Sequence, residues 1–306
     1  MEAPHPSPFI HNPTHPHTHK TTLIFLHGTS QTGPELASIL LSFPIPPPVR
    51  SLSTSSNSDP LTQNQAETKT LAELLPNTRF VFPTGSPKKT TVFAGLETNS
   101  WFNIHTFVDR TVGETEQIPG LAESINYLSS LINDEVEELV KARVRREEAG
   151  DRIVVGGFSS GAALAVLGFL SGEFERRERI GAVVALSGWL PFRAQIDKVI
   201  ENHKEVGDGE RKWAVRKYVR QLLYMNDGVQ GGKMEKMREE KAEILICHGK
   251  KDVKVRYEWG VEMTGVLKRM GQKIECRSYE GLEHWVCGEE MLHVGGFVEG
   301  VWEGLE

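Results

Sequence analysis

Arg152-Ile153-Val154-Val155-Gly156-Gly157-Phe158-Ser159-Ser160-Gly161-Ala162-Ala163-Leu164-Ala165 is the stretch from which the rest of the chain can be read. Residues 153–155 are β-branched and apolar, as a buried strand requires, and residues 162–165 are good helix formers. Between them Gly157-Phe158-Ser159-Ser160-Gly161 matches Gly-x-Ser-x-Gly in its required setting, a strand in front and a helix behind. A serine there must occupy a sharp, strained turn, and glycines two residues to either side remove side chains that would clash. The helix N-terminus adds unpaired N–H groups and positive potential beside the hydroxyl. Ser159 is the expected nucleophile. A purely structural strand–turn–helix is the blander alternative, and composition alone leaves Ser160 open as the reactive hydroxyl. Its place just after the bend suits Ser160 better to offering its backbone N–H.

Outward from this bend, strands are expected at 21–26, 79–82, 181–186, 243–247 and 273–279, with helices at 121–146, 161–170, 257–270 and 289–302. Strands alternating with helices predict an α/β fold around a mostly parallel central sheet flanked by helices. The helix at 160–170 is apolar nearly all round and should be buried. Residues 193–241 differ in character, with 12 Lys/Arg and 9 Asp/Glu in 49 residues. They read as a charged helical insertion before the acid-bearing strand, with a glycine-bearing turn at 227–232. Val215, Tyr218, Val219 and Leu222 recur at helical spacing with Arg216, Lys217 and Arg220 interleaved. That amphipathic helix is by default a surface helix, and otherwise a candidate lid or a weak contact for an anionic membrane surface.

Residues 1–20 carry five histidines among prolines and are expected to be a disordered tail, leaving 21–306 as the folded domain. Pro44–Pro48 and the Ser/Asn-rich stretch 51–65 read as an exposed loop. A net charge of −6 over 306 residues excludes a general attraction to nucleic acid. No apolar run approaches the roughly 18 residues of a membrane span. The polar start lacks an apolar signal core, and no lipidation motif is expected at either end. Three cysteines are too few for a disulfide framework, so free thiols in a reducing compartment, most simply the cytosol, are expected.

An acyl-transfer site needs two donors aimed at the developing oxyanion. One is the N–H of Ser160. The second is expected from the turn His27-Gly28-Thr29-Ser30 after the first strand, at the N–H of Thr29, with Gly28 letting the backbone approach. The hydroxyl also needs a base, and the chain order that goes with this bend is serine, then acid, then histidine. Asp252 follows the strand at 243–247 and His284 follows the strand at 273–279, so both fall on the sheet edge that carries Ser159. Asp252 would hold the imidazole in one tautomer; a helix N-cap is its plainer reading, and a satisfied histidine is that of His284. Cys247, His248, His284 and Cys287 fit no standard metal-ligand spacing, so no metal is expected.

Taken together, residues 24–33, Ser100-Trp101-Phe102, 156–165, Ala185-Leu186-Ser187-Gly188-Trp189-Leu190-Pro191, Cys247-His248-Gly249…Asp252 and Tyr279-Glu280-Gly281…His284 resemble the phospholipase/carboxylesterase group of α/β-hydrolases, acyl-protein thioesterases especially. The resemblance implies an α/β-hydrolase fold and a cytosolic serine hydrolase without a cofactor. It implies cleavage of carboxylic esters or thioesters, with small-molecule esters or acylated proteins as substrates. It carries Ser159, Asp252 and His284 as triad and Thr29 with Ser160 as oxyanion donors. The chain departs from the group at Ser160, where Gln is usual, at Asn103, which replaces an acid, and at Trp285, where a small residue is common. Trp101, Phe102, Trp189, Leu190 and Trp285 would lie near Ser159 and suit an acyl chain, although most tryptophans are core residues. Two other functions fit the same pattern: acyl transfer or lactone formation in a biosynthetic pathway, and a hydrolase-like binding protein without catalysis. An intact nucleophile, acid, base and donor pair argue against the last. Oligomeric state is not legible in these residues.

Overall fold

The computed structural model describes residues 5–13, 18–47, 68–175, 179–225 and 242–305. Nine strands are defined: β1 Phe9–His11, β2 Thr21–Leu26, β3 Thr78–Phe82, β4 Pro87–Thr90, β5 Leu96–Asn99, β6 Ile153–Phe158, β7 Ala182–Leu186, β8 Glu243–Gly249 and β9 Ile274–Tyr279. The helices are α1 Gly33–Ser42, α2 Leu71–Leu74, α3 Glu114–Lys141, α4 Arg146–Ala149, α5 Ser160–Leu170, α6 Arg193–Asn202, α7 Asp208–Leu222, α8 Tyr257–Arg269 and α9 Gly288–Glu303. The main sheet has the order β1-β3-β2-β6-β7-β8-β9; β2, β3 and β6–β9 are parallel and β1 alone runs antiparallel, against β3. β4 and β5 form a separate antiparallel hairpin.

Alternation along each strand sends successive side chains to opposite faces, so a sheet covered on both sides needs two cores. Ile24 and Leu26 of β2 join a core with α3, α5, α7 and α8, whereas Leu23 and Phe25 join one with α1 and α9. The prediction for α5 holds: every one of its residues is buried. Because the parallel strands point one way, the loops leaving their carboxyl ends share one edge, where sheets of this type place their sites.

Two expectations change. The N-terminal twenty residues are not simply a tail: Phe9–His11 pairs with Phe82–Phe80, and the His5 ring stacks on Tyr127 at 3.8 Å while its Nδ1–H donates to the Thr84 carbonyl. An open edge on β3 takes an extended segment readily, and three residues cover positions 80–82 of it. Helix α3 starts seven residues ahead of the expected position, because Pro119 and Gly120 lie inside its first turns rather than before it. Gly120 is there for closeness, since a Cβ would come within 2.9 Å of the Phe102 Cα. The described part of the charged insertion, α6 and α7, is part of the packed fold: Val215 and Val219 are fully buried in the α5 core. Arg216 and Arg220 pair at 2.8 Å with Glu175 and Glu173, so two arginines of the basic stripe of α7 are engaged on the protein itself. The loop at 51–65 and the turn at 227–232 lie outside the described residues.

Candidate active site

The bend after β6 is built as its sequence requires. Ser159 has φ 58° and ψ −118°, a conformation that side chains rarely adopt and that persists only where neighbours enforce it. Its N–H donates to the Leu186 carbonyl at 2.9 Å. A Cβ on Gly157 would lie 2.3 Å from the Gly161 carbonyl carbon, and one on Gly161 would lie 2.4 Å from the Leu26 oxygen. Both glycines are therefore demanded by space.

The acid-bearing and histidine-bearing loops are locked together. Lys250 and Lys251 donate to the carbonyls of Tyr279 and Leu282, and Gly249 passes so near Leu282 that a Cβ would come within 2.2 Å of its oxygen. This brings His284 between Asp252 and Ser159. Its Nδ1–H donates to Asp252 Oδ2 at 2.6 Å, which fixes the tautomer and leaves Nε2 to accept from the Ser159 hydroxyl at 3.0 Å. The other oxygen of Asp252 accepts from the N–H groups of Lys254 and Val255 at 3.0 and 2.9 Å. Burial by itself would raise the Asp252 carboxyl; hydrogen bonds from His248 and His284, the His284 charge and the Val255 N–H outweigh it and hold the group well below the usual carboxylate range. The carboxylate is thus kept ionised beside the imidazole.

The turn after β2 stands over the bend: a Cβ on Gly28 would lie 3.4 Å from that of Ser159. The Thr29 hydroxyl donates to the Ser160 hydroxyl at 3.1 Å, tying this turn to the start of α5. The Ser160 N–H, in the first turn of α5, has no intrahelical acceptor. Beneath the turn His27 is fully buried. Its Nε2 accepts from the Gly85 N–H at 2.9 Å, so the proton sits on Nδ1 and is donated to the Gly28 carbonyl at 2.6 Å. Desolvation lowers the His27 pKa to about 4, which keeps the ring neutral in that brace.

The five residues expected to line the acyl surface divide. Trp101 and Phe102 are fully buried, and the Trp101 indole N–H donates to the His27 carbonyl at 2.8 Å, so Trp101 supports the turn rather than facing a substrate. Trp189 and Leu190 are also buried, with the Arg110 guanidinium 4.4 Å above the Trp189 ring. Only Trp285 is open, at 46 % exposure, edge-on to Phe158, whose ring leans on His284. Burial separates aromatic residues that residue type alone groups together. Sequence reasoning passed over His27 as a brace, His248 beside Asp252, and Arg110, whose guanidinium donates to the Lys254 carbonyl at 3.0 Å. The signal for His248 was its place in His-Gly-x-x-Asp; Arg110 gave none.

A hydroxyl, an imidazole and a carboxylate in hydrogen-bonded series at the carboxyl edge of a parallel sheet define an α/β-hydrolase. The sequence profile of phospholipases and carboxylesterases matches residues 63–206. Acyl-protein thioesterase 1 of Mycosarcoma maydis is 26 % identical over 231 residues, 74 % of this chain and 79 % of the relative. Acyl-protein thioesterase 1 of Yarrowia lipolytica is 22 % identical over 92 % of both chains. Among solved structures, Zea mays acyl-protein thioesterase 2 superposes with a TM-score of 0.60 at 21 % identity, covering 96 % of this chain and 98 % of that one. Arabidopsis thaliana SOBER1 gives 0.59 at 20 % identity, over 92 % and 99 %. The chain is similar to the phospholipase/carboxylesterase family of α/β-hydrolases and is a serine hydrolase. The profile match stops short of residues 252 and 284, which makes the geometry around them an independent observation.

Proposed function

We propose that the protein cleaves carboxylic ester or thioester bonds through a covalent acyl-enzyme on Ser159. The observation that carries this reading is the unbroken series from Ser159 through His284 to Asp252, at 3.0 and 2.6 Å. As the Ser159 oxygen bonds to the acyl carbon, its proton passes to His284 Nε2, and Asp252 steadies the imidazolium. The N–H groups of Thr29 and Ser160 receive the negative charge on the former carbonyl oxygen. Collapse expels an alcohol or thiol that takes the proton from His284. Water, deprotonated by the same imidazole, then releases the acid and restores the serine.

Thioesters join esters because relatives spanning most of the chain are acyl-protein thioesterases. Small esters and acylated proteins are the substrate classes that follow, and Trp285 is the one expected acyl contact that reaches solvent. None of the three cysteines is paired, and among the described residues no helix is long and apolar enough to cross a membrane. Both support our reading of a cytosolic enzyme.

A fluorophosphonate probe tests the assignment. Wild type should be labelled at Ser159, and Ser159→Ala should lose labelling together with at least about 10³-fold in kcat, leaving only what binding and the oxyanion donors supply. Equal labelling of Ser159→Ala would refute it. A panel of p-nitrophenyl esters and acyl-CoA thioesters of rising chain length then reads the acyl preference.

A further inference from the structure

His248 stands at the end of β8, fully inside the protein, four residues before Asp252. Its Nε2 lies 2.8 Å from the Val255 carbonyl, which can only accept, so the proton is on Nε2. The same N–H is 3.4 Å from Asp252 Oδ2, the oxygen that holds His284. Asp252 therefore faces four donors: Lys254 and Val255 at one oxygen, His248 and His284 at the other. Nδ1 of His248 has no partner among the described residues, which a ring protonated on Nε2 does not require.

The surroundings hold the ring where it is. Gly260 of α8 presses on it so closely that a Cβ would lie 2.4 Å from Nδ1, and the Tyr257 ring meets it edge-on at 5.8 Å. The charged and titratable groups that face this corner are Asp252 on the same loop, His284 from the loop after β9, Tyr257 from α8, and Arg110 from the segment before α3, which grips the loop through the Lys254 carbonyl. The ring is held from the α8 side, and its one donated proton is aimed at the acid loop.

We propose that His248 is a positioning residue for the triad: its Nε2–H, shared between the Val255 carbonyl and Asp252 Oδ2, orients the carboxylate toward His284 and limits how strongly that carboxylate draws a proton onto the imidazole. The proposal rests on the Ser159–His284–Asp252 reading above. Without the His248 donor, Oδ2 keeps only His284, its negative charge is less dispersed, and the carboxylate is free to swing. The imidazolium is then favoured at higher pH, and the base is less well aligned when the serine attacks.

The experiment compares wild type, His248→Leu and His248→Gln in full-length protein, each first shown to be folded by its unfolding transition. Fluorophosphonate labelling of wild type at Ser159 is read first, because its absence would reject the triad itself and not this inference. With labelling present, His248→Leu should lower kcat about tenfold, a small share of what the base itself is worth, with KM within about twofold, and should move the acidic midpoint of the kcat/KM profile upward. His248→Gln, which keeps an N–H near the same place, should recover most of both. An unmoved profile in His248→Leu, a change confined to KM, or equal behaviour of the Leu and Gln variants overturns the proposal. Should His248→Leu fail to fold, nitrogen NMR of wild type decides: an Nε2–H tautomer at His248 at neutral pH supports it, and an imidazolium or Nδ1–H tautomer overturns it.

Discussion

At the residue scale, identity mattered less than what stands around each side chain. Ser159 was legible because its neighbours Gly157 and Gly161 are forced by space, and space leaves a pattern in sequence. Asp252 and His284 were legible from strand-end positions, although only the packed Gly249–Leu282 approach joins their loops. The aromatic residues were legible as aromatic but not as buried or open, since burial is decided by elements remote in the chain. Of the five expected acyl contacts, Trp285 alone is exposed, beside His284, so Trp285→Ala should raise KM for long-chain p-nitrophenyl esters several-fold, roughly the value of one aromatic contact of about 1 kcal/mol, and leave the acetyl ester nearly unchanged. A uniform loss across chain lengths would place Trp285 elsewhere in the reaction.

At the element scale, helix α9 carries an unusual acid. Glu290, in its first turn, is fully buried with both carboxylate oxygens unpartnered among the described residues. Desolvation dominates, against a smaller favourable contribution from the Cys287 backbone, and raises its pKa to about 8. A raised carboxyl binds its proton more tightly folded than unfolded, so its contribution is present in full below the unfolded value and is lost as pH climbs toward 8. Glu290→Gln should therefore gain on wild type between pH 5 and 9, by about 4 kcal/mol at most, in parallel denaturant titrations at the two values. Periodicity located this helix well and could say nothing of the charge, because a first-turn glutamate is ordinary helix chemistry. The opposite error affected α3, whose proline and glycine look like punctuation yet lie within the first turns. α7 shows a third case: its apolar spacing was correct, while the partners of its arginines, Glu173 and Glu175, come from another part of the chain.

At the scale of the whole molecule, the alternation of strands and helices sufficed for the class of fold, because a parallel sheet needs a crossover between most of its strands. It did not reveal the N-terminal segment, where three residues between prolines pair with β3 and His5 reaches Thr84. Too short to show a period, that strand is recognisable only from the edge it covers. Removing residues 1–11 should cost about 2 kcal/mol of stability, two or three backbone hydrogen bonds at about 1 kcal/mol each, and should speed amide exchange in residues 80–82 while β7 and β8 stay protected. Unchanged exchange there would show that the segment does not hold the edge.

The proposed triad gathers its members from the loops after three strands, β6, β8 and β9, and the imidazole follows β9, the last strand of the sheet. A nascent polypeptide still short of residue 284 lacks the imidazole that accepts the Ser159 proton. Reactivity is thus withheld on the ribosome until nearly everything that shapes the enzyme has already been translated.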